Sequence, residues 1–270
     1  MNTTKNNQKN NKLENLLITT PFGKNLLNNE LIFYHNITRT IFGYYALQIG
    51  LPQIDFLKTN KISNKYIFPT QINCDLPALP FATNSIDLII CPHILEFMPN
   101  YEELLQECYR VLIPKGKLII TNFNRKSFLG LSNTPKEFAK LFKKKAPTDI
   151  EALIKQQLKA KSQKKVQIPP QTQSIIQDIN WIGLNEIKNS LIKANFMLFG
   201  GKFLNYLPPC NNVKILSNLE WLNNVGDRWF PSYANTYAII ASKETITFTR
   251  IKPETKRQYV KQTSVELSGI

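Results

Sequence analysis

The chain has 270 residues, 43% of them hydrophobic and 20% charged, and a formal charge of +15. That length suits one large domain, or a domain with an appended lobe, with a sizeable core. No apolar run approaches the roughly 18 residues of a membrane span, and the polar start MNTTKNNQKNNKLENLL lacks the apolar centre of a signal peptide, so a cytoplasmic protein with no transmembrane segment is expected. Cys74, Cys91, Cys108 and Cys210 lack paired metal-ligand spacing and read as four reduced structural thiols, with no metal expected. The positive charge suggests nucleic acid or another anionic partner. It is partly a lysine bias of the whole chain and partly local: residues 125–166 hold twelve Lys/Arg against three acids (Glu137, Asp149, Glu151) and so supply nine of the fifteen net charges.

Residues 1–12 have no apolar periodicity and read as a disordered tail. Phe22, Leu26, Leu27, Leu31, Ile32 and Ile37 recur at helical intervals, which predicts an amphipathic helix over 22–41. YYALQIG reads as a buried strand ending at Gly50, LPQIDFLKTN as a short helix, and KYIFPTQIN as a strand interrupted or edged by Pro69. IDLIIC is a continuous apolar run of strand length, the pattern of a strand covered on both faces. Asn100, with Glu103 three residues on, opens a helix whose stripe is Leu104, Leu105, Cys108, Val111 and Leu112. After the turn PKG comes a second buried strand, KLIITNF, completing a parallel crossover unit. Residues 125–180 change texture. TPKEFAKLF and TDIEALIKQQL read as two helices, followed by a polar linker around KVQIPPQTQS. A helix (WIGLNEIKNSLIKANF), a strand (FMLFGGKF), a helix (SNLEWLNNVGDRWF) and a last strand (NTYAIIAS) follow, before a basic tail at 251–270. The alternation predicts an α/β fold with a doubly wound, mostly parallel sheet over residues 13–250 and a ligand crevice at the strand C-termini.

The most informative stretch is DLPALPFATNSIDLIICPHILEF, residues 75–97: an acid, LPF, then Ser-hydrophobe-Asp and an apolar strand. Asp75, Leu79, Pro80, Phe81, Ser85, Ile86 and Asp87 meet that pattern, and LLQECYRVLIPKGKLIIT continues it. On these residues the chain resembles class I, Rossmann-like S-adenosylmethionine-dependent methyltransferases, particularly the bacterial small-molecule type that includes quinone-biosynthesis enzymes. The resemblance covers residues 75–123 closely and extends to about 242. It implies S-adenosylmethionine as cofactor, with Asp75 accepting a hydrogen bond from the adenine amine and Leu76 flanking the ring. Gln48, Gly50 and Cys91 would complete the cofactor site. His93 falls where cofactor and acceptor meet in the family, and imidazole could serve there as a base or as a hydrogen-bonded wall residue. Asp87 reads as structural.

The sequence departs from the family in three ways. The glycine-rich loop after the first strand is reduced to ALQIGLPQ, with Gly50 alone and Gln48 where an acid is usual. Only 24 residues separate Gly50 from Asp75 (75 − 50 − 1), so one strand-helix unit of the first half is abbreviated and the ribose-binding acid goes with it. Phe97 stands where the family has histidine. The basic segment is expected as a helical insertion after the family's fifth strand. Its lysines at 136–165, including Lys143, Lys144 and Lys145, are a candidate site for an anionic partner. Methyl transfer to a small molecule is the leading expectation. The alternatives are a non-catalytic binding or scaffold protein built on the methyltransferase fold and an RNA-directed methyltransferase.

Overall fold

The computed structural model describes residues 2–71, 76–127, 129, 170–229 and 231–244. Helix α1 (Asn2–Thr19) takes in most of the stretch expected as a tail. Its second half explains why: Leu13, Leu16 and Leu17 recur at i, i+3 and i+4, are buried, and pack with Phe22 and Leu26 of the next helix. Helix α2 (Pro21–Thr38) starts where expected, with Pro21 in the first turn and the Thr20 hydroxyl accepting from Gly23 N at 3.0 Å. The corner between the helices is tight. A Cβ on Gly23 would lie 2.1 Å from the Leu16 carbonyl oxygen.

Strands β1 (Tyr45–Ile49), β2 (Asn64–Phe68), β3 (Ile86–Pro92) and β4 (Leu112–Phe123) pair in parallel, and helix α3 (Tyr101–Val111) links the last two. Helices α4 (Pro170–Asp178) and α5 (Leu184–Lys193) precede β5 (Phe196–Leu204). Helices α6 (Val213–Leu219) and α7 (Leu222–Trp229) lead to β6 (Thr236–Lys243), which is antiparallel to both β4 and β5. The sheet order is β2-β1-β3-β4-β6-β5. This is the mostly parallel α/β sheet of the Rossmann-like methyltransferase fold, and among the described residues β2, at the sheet edge, is the only strand that falls between β1 and β3 in sequence, as the short spacing predicts.

The continuous apolar runs are covered on both faces. Leu88 and Ile90 of β3 face the cluster that contains α1 and α2, whereas Ile89 and Cys91 face the one built on α3. Four further local readings differ from the structure. The expected short helix at 51–60 is a series of turns. The PKG turn is absorbed into β4, with Lys115 at φ 67°. The expected linker around 165–174 is helical from Pro170, where a missing N–H costs nothing. The expected single helix at 217–230 is two short ones, broken around Glu220 and Trp221. The lysine-rich stretch 136–165, most of the insertion, and the tail 251–270 lie outside the described residues.

Candidate active site

The carboxyl ends of β1, β3 and β4 meet under α2. Gly50 ends β1 with φ +106°, a left-handed conformation that favours glycine. A Cβ here would also sit 2.8 Å from the Pro92 carbonyl oxygen and 3.1 Å from Ile94 Cβ, so the segments after β1 and β3 close directly on one another. Gln48, fully buried, organises the loop beyond. Its amide Nε2 donates to the carbonyls of Gly50 (3.1 Å), Leu51 (3.1 Å) and Ile54 (2.7 Å), and its Oε1 accepts from Phe56 N (3.1 Å). A carboxylate could not do this, because it has no donors. Leu51, Ile54, Phe56 and Leu57 are buried by the resulting coil, and Phe56 packs 4.9 Å from the Tyr34 ring of α2.

His93 follows β3 at φ 53° and extends its ladder by donating N–H to the Thr121 carbonyl at 2.9 Å. Its ring is buried against Phe123 and bound on both nitrogens: Nε2 lies 2.9 Å from Glu30 Oε1, and Nδ1 lies 3.3 Å from both oxygens of Glu96. All three side chains are fully buried. Burial opposes a charged ring, but the two carboxylates together outweigh it and push the His93 pKa up to about 10. Burial raises the Glu96 carboxyl, while His93 and the Phe123 backbone N–H, which donates to Glu96 Oε1, hold it back. The second Glu30 oxygen, Oε2, is buried with no partner among the described residues, as is Asn122 Oδ1 near the end of β4. Beside this group the Tyr34 hydroxyl meets Thr121 Oγ1 at 3.1 Å, and burial raises the phenol well above its ordinary range.

The structure therefore brings Gln48, Gly50 and His93 to one place, with the polar atoms of Gln48 spent on the loop and the His93 ring enclosed. Cys91 is at the same strand end but turns toward α3, where its free thiol hydrogen-bonds with the free thiol of Cys108. That bond and burial raise the Cys108 thiol well above its usual range. Leu76 is half-buried against the cluster containing Tyr66, Leu79 and Phe81. Asp75 lies outside the described residues. Asp87 is structural, its Oδ2 accepting from Tyr44 N (2.8 Å) and Tyr45 N (2.9 Å) at the opposite end of β1. Glu30 and Glu96 were not singled out in the sequence. The available signal for Glu30 is an acid on the same helix face as Leu26, Phe33 and Tyr34.

This arrangement is that of the Rossmann-like methyltransferase fold, and sheets of that kind bind their ligands at the carboxyl ends of the central strands. Residues 33–120, which carry the ends of β1 and β3 together with Tyr34 and His93, match a family model described as "Methyltransferase domain". The chain is 43% identical over 63 residues to the uncharacterized protein YafS of Escherichia coli, covering 23% of this chain and 26% of that protein. It is 33% identical over 96 residues to the uncharacterized protein MJ0638 of Methanocaldococcus jannaschii, covering 36% and 38% respectively. The matched segments thus span well under half of each of these relatives. Among solved structures, it superposes with a TM-score of 0.53 at 10% identity on the methyltransferase solved in complex with the Trm112 methyltransferase activator of Haloferax volcanii, covering 86% of this chain and 98% of that one.

Proposed function

We infer that the chain is an S-adenosylmethionine-dependent methyltransferase of the cytoplasm acting on a small molecule. The observation that carries this is that the segment matching the methyltransferase domain is the one whose strands end at the Gly50 turn and the His93 group. One group present suits the cofactor's methionine end: Glu30 Oε2 is a buried acceptor with no partner among the described residues, and an ammonium group would supply the donor that oxygen lacks. At the other end Asp75 would accept from the adenine amine, with Leu76 against the ring. Gln48 fixes the loop after Gly50, and the Cys91–Phe97 segment shapes the acceptor's mouth.

When bound, S-adenosylmethionine supplies an electrophilic methyl group, and the protein's task is to orient the two reactants and exclude water. This chain does both with a dry wall of Tyr34, Phe56 and Phe123. The His93 ring, holding a proton between Glu30 and Glu96, positions α2 against the segments after β3 and β4. The resemblance to quinone-biosynthesis enzymes makes quinone precursors the first acceptors to try.

A second reading, a scaffold built on the methyltransferase fold, is favoured by the closure of loop 50–56: its carbonyls are taken by Gln48 and its apolar side chains are already packed. Incubation with methyl-tritiated S-adenosylmethionine and cell extract separated into small-molecule, RNA and protein fractions distinguishes these. Label in the small-molecule fraction, lost on Asp75→Ala, is expected. Label only in RNA would replace the acceptor class, and label in no fraction would favour the scaffold.

A further inference from the structure

Three aromatic side chains are left largely in solvent: Phe42 (69% exposed), Tyr44 (77%) and Tyr45 (41%). They lie between α2 and β1 and at the start of β1, while Gly50 follows its other end. A five-residue strand puts the two ends roughly 16 Å apart, so this surface is separate from the crevice. Large apolar side chains grouped in solvent mark a binding surface.

The group is held in place rather than loose. Asp87 Oδ2 accepts from the N–H of both Tyr44 and Tyr45, and Gly43 lets the chain pass so close that a Cβ would lie 2.4 Å from Asp87 Cβ. Asn60 stitches the neighbouring loop to the same segment, its Nδ2 donating to the carbonyls of Thr38 (2.6 Å) and Ile41 (3.1 Å). The Tyr45 ring lies nearly parallel to Tyr66 of β2, 13° apart with centroids at 6.4 Å. Lys61 Nζ sits 5.5 Å from the Phe42 ring centre. Arg39, three residues before Phe42, and Lys61 are exposed, and Lys65 is half-buried on β2 with its Nζ donating to the Asn60 carbonyl at 2.8 Å. Asp87, in contact with the same segment, takes the two backbone donors on Oδ2.

Preset aromatic faces interleaved with cations fit a polyanion with stackable groups. We propose that this surface binds single-stranded nucleic acid, its bases stacking on Tyr44 and Phe42 and its phosphates meeting Arg39, Lys61 and Lys65. Paired bases could not offer their faces to the rings. Protein interfaces are depleted in lysine, which supplies two of the three cations. A membrane-binding face would be an amphipathic helix with aliphatic anchors, and this surface is a loop and a strand edge bearing phenols.

The test is fluorescence anisotropy of the full chain with a labelled oligouridylate of about 12 nucleotides, alongside Phe42→Ala, Tyr44→Ala and the pair Lys61→Gln/Lys65→Gln. The two ring positions are solvent-exposed, so the variants should keep the parent's melting temperature, which is checked first. Each ring variant should weaken binding about tenfold. Three phosphate contacts predict a slope of log affinity against log salt of about −2, falling toward −1 in the double lysine variant. Binding that is salt-dependent but unchanged by either ring variant would overturn the proposal, since general attraction to a +15 chain would then suffice. Absence of binding would overturn it too, as would tighter binding to phosphatidylserine vesicles than to the oligonucleotide, or self-association that Tyr44→Ala abolishes.

Discussion

Replacing Glu30 by glutamine tests whether α2 is fastened to the crevice by charge. Glu30 Oε1 is 2.9 Å from His93 Nε2, both side chains are fully buried, and the partners are 63 residues apart in sequence. Removing one member of a buried pair costs about 3–5 kcal/mol. Glutamine keeps an oxygen that can accept from Nε2–H, so a loss near the lower bound, about 2–4 kcal/mol, is expected. The pH dependence gives a second reading. His93 is raised to about 10 from 6.5, so its stabilisation is complete below about pH 6.5 and is lost as pH rises through 10. One proton gives a slope of about 1.4 kcal/mol per pH unit across that window, and the raised Glu96 acts in the same direction. Glu30→Gln removes one of the two carboxylates holding the ring charged, so the slope should flatten between pH 7 and 10. Urea unfolding at half-unit pH steps measures both. A variant within about 0.5 kcal/mol of the parent with an unchanged slope would refute the ion pair. A more stable variant would show that two carboxylates around one imidazolium, with Glu30 Oε2 unpartnered, leave an uncompensated charge.

Gly50→Ala must place a Cβ 2.8 Å from the Pro92 carbonyl at a positive φ, and thermal denaturation should show a loss of about 2–4 kcal/mol. Gln48→Glu introduces an acid of the same size but removes every donor to Gly50, Leu51 and Ile54. It should destabilise by about 2–4 kcal/mol and expose loop 50–56 to proteolysis, and an unaffected variant would show that the amide does not close the loop. Leu17→Ala opens a cavity between α1 and α2, where Leu17 is fully buried, and should cost about 2–5 kcal/mol in urea unfolding.

What the sequence made legible was what local patterning controls. The apolar runs of β3 and β4 and the stripe of α3 lie where their periodicity placed them, because strands covered on both faces need continuous apolar sequence. Gly50 could be read as a turn, but not as a contact with Pro92, which depends on the packing of β1 beside β3. Gln48 looked like a degenerate acid; its four partners are backbone groups of a loop whose path no local pattern predicts, and they draw 51–60 out of the helix its composition suggested. The Glu30–His93 pairing was invisible for a related reason, since its partners come together only when α2 docks over the strand ends. At 1–12 the polar composition hid a helix whose anchor is the leucine group that follows it. Asp87 behaved as read, a polar residue holding the entry to a buried strand.

The most direct measurement is calorimetric titration of the full chain with S-adenosylmethionine and S-adenosylhomocysteine, with Asp75→Ala and Glu30→Gln in parallel. The predicted result is a dissociation constant near micromolar, about −8 kcal/mol, weakened at least tenfold in both variants. No heat and no thermal shift at millimolar ligand would contradict a working cofactor site, leave the fold standing, and make the Gln48-closed loop the final state of a scaffold.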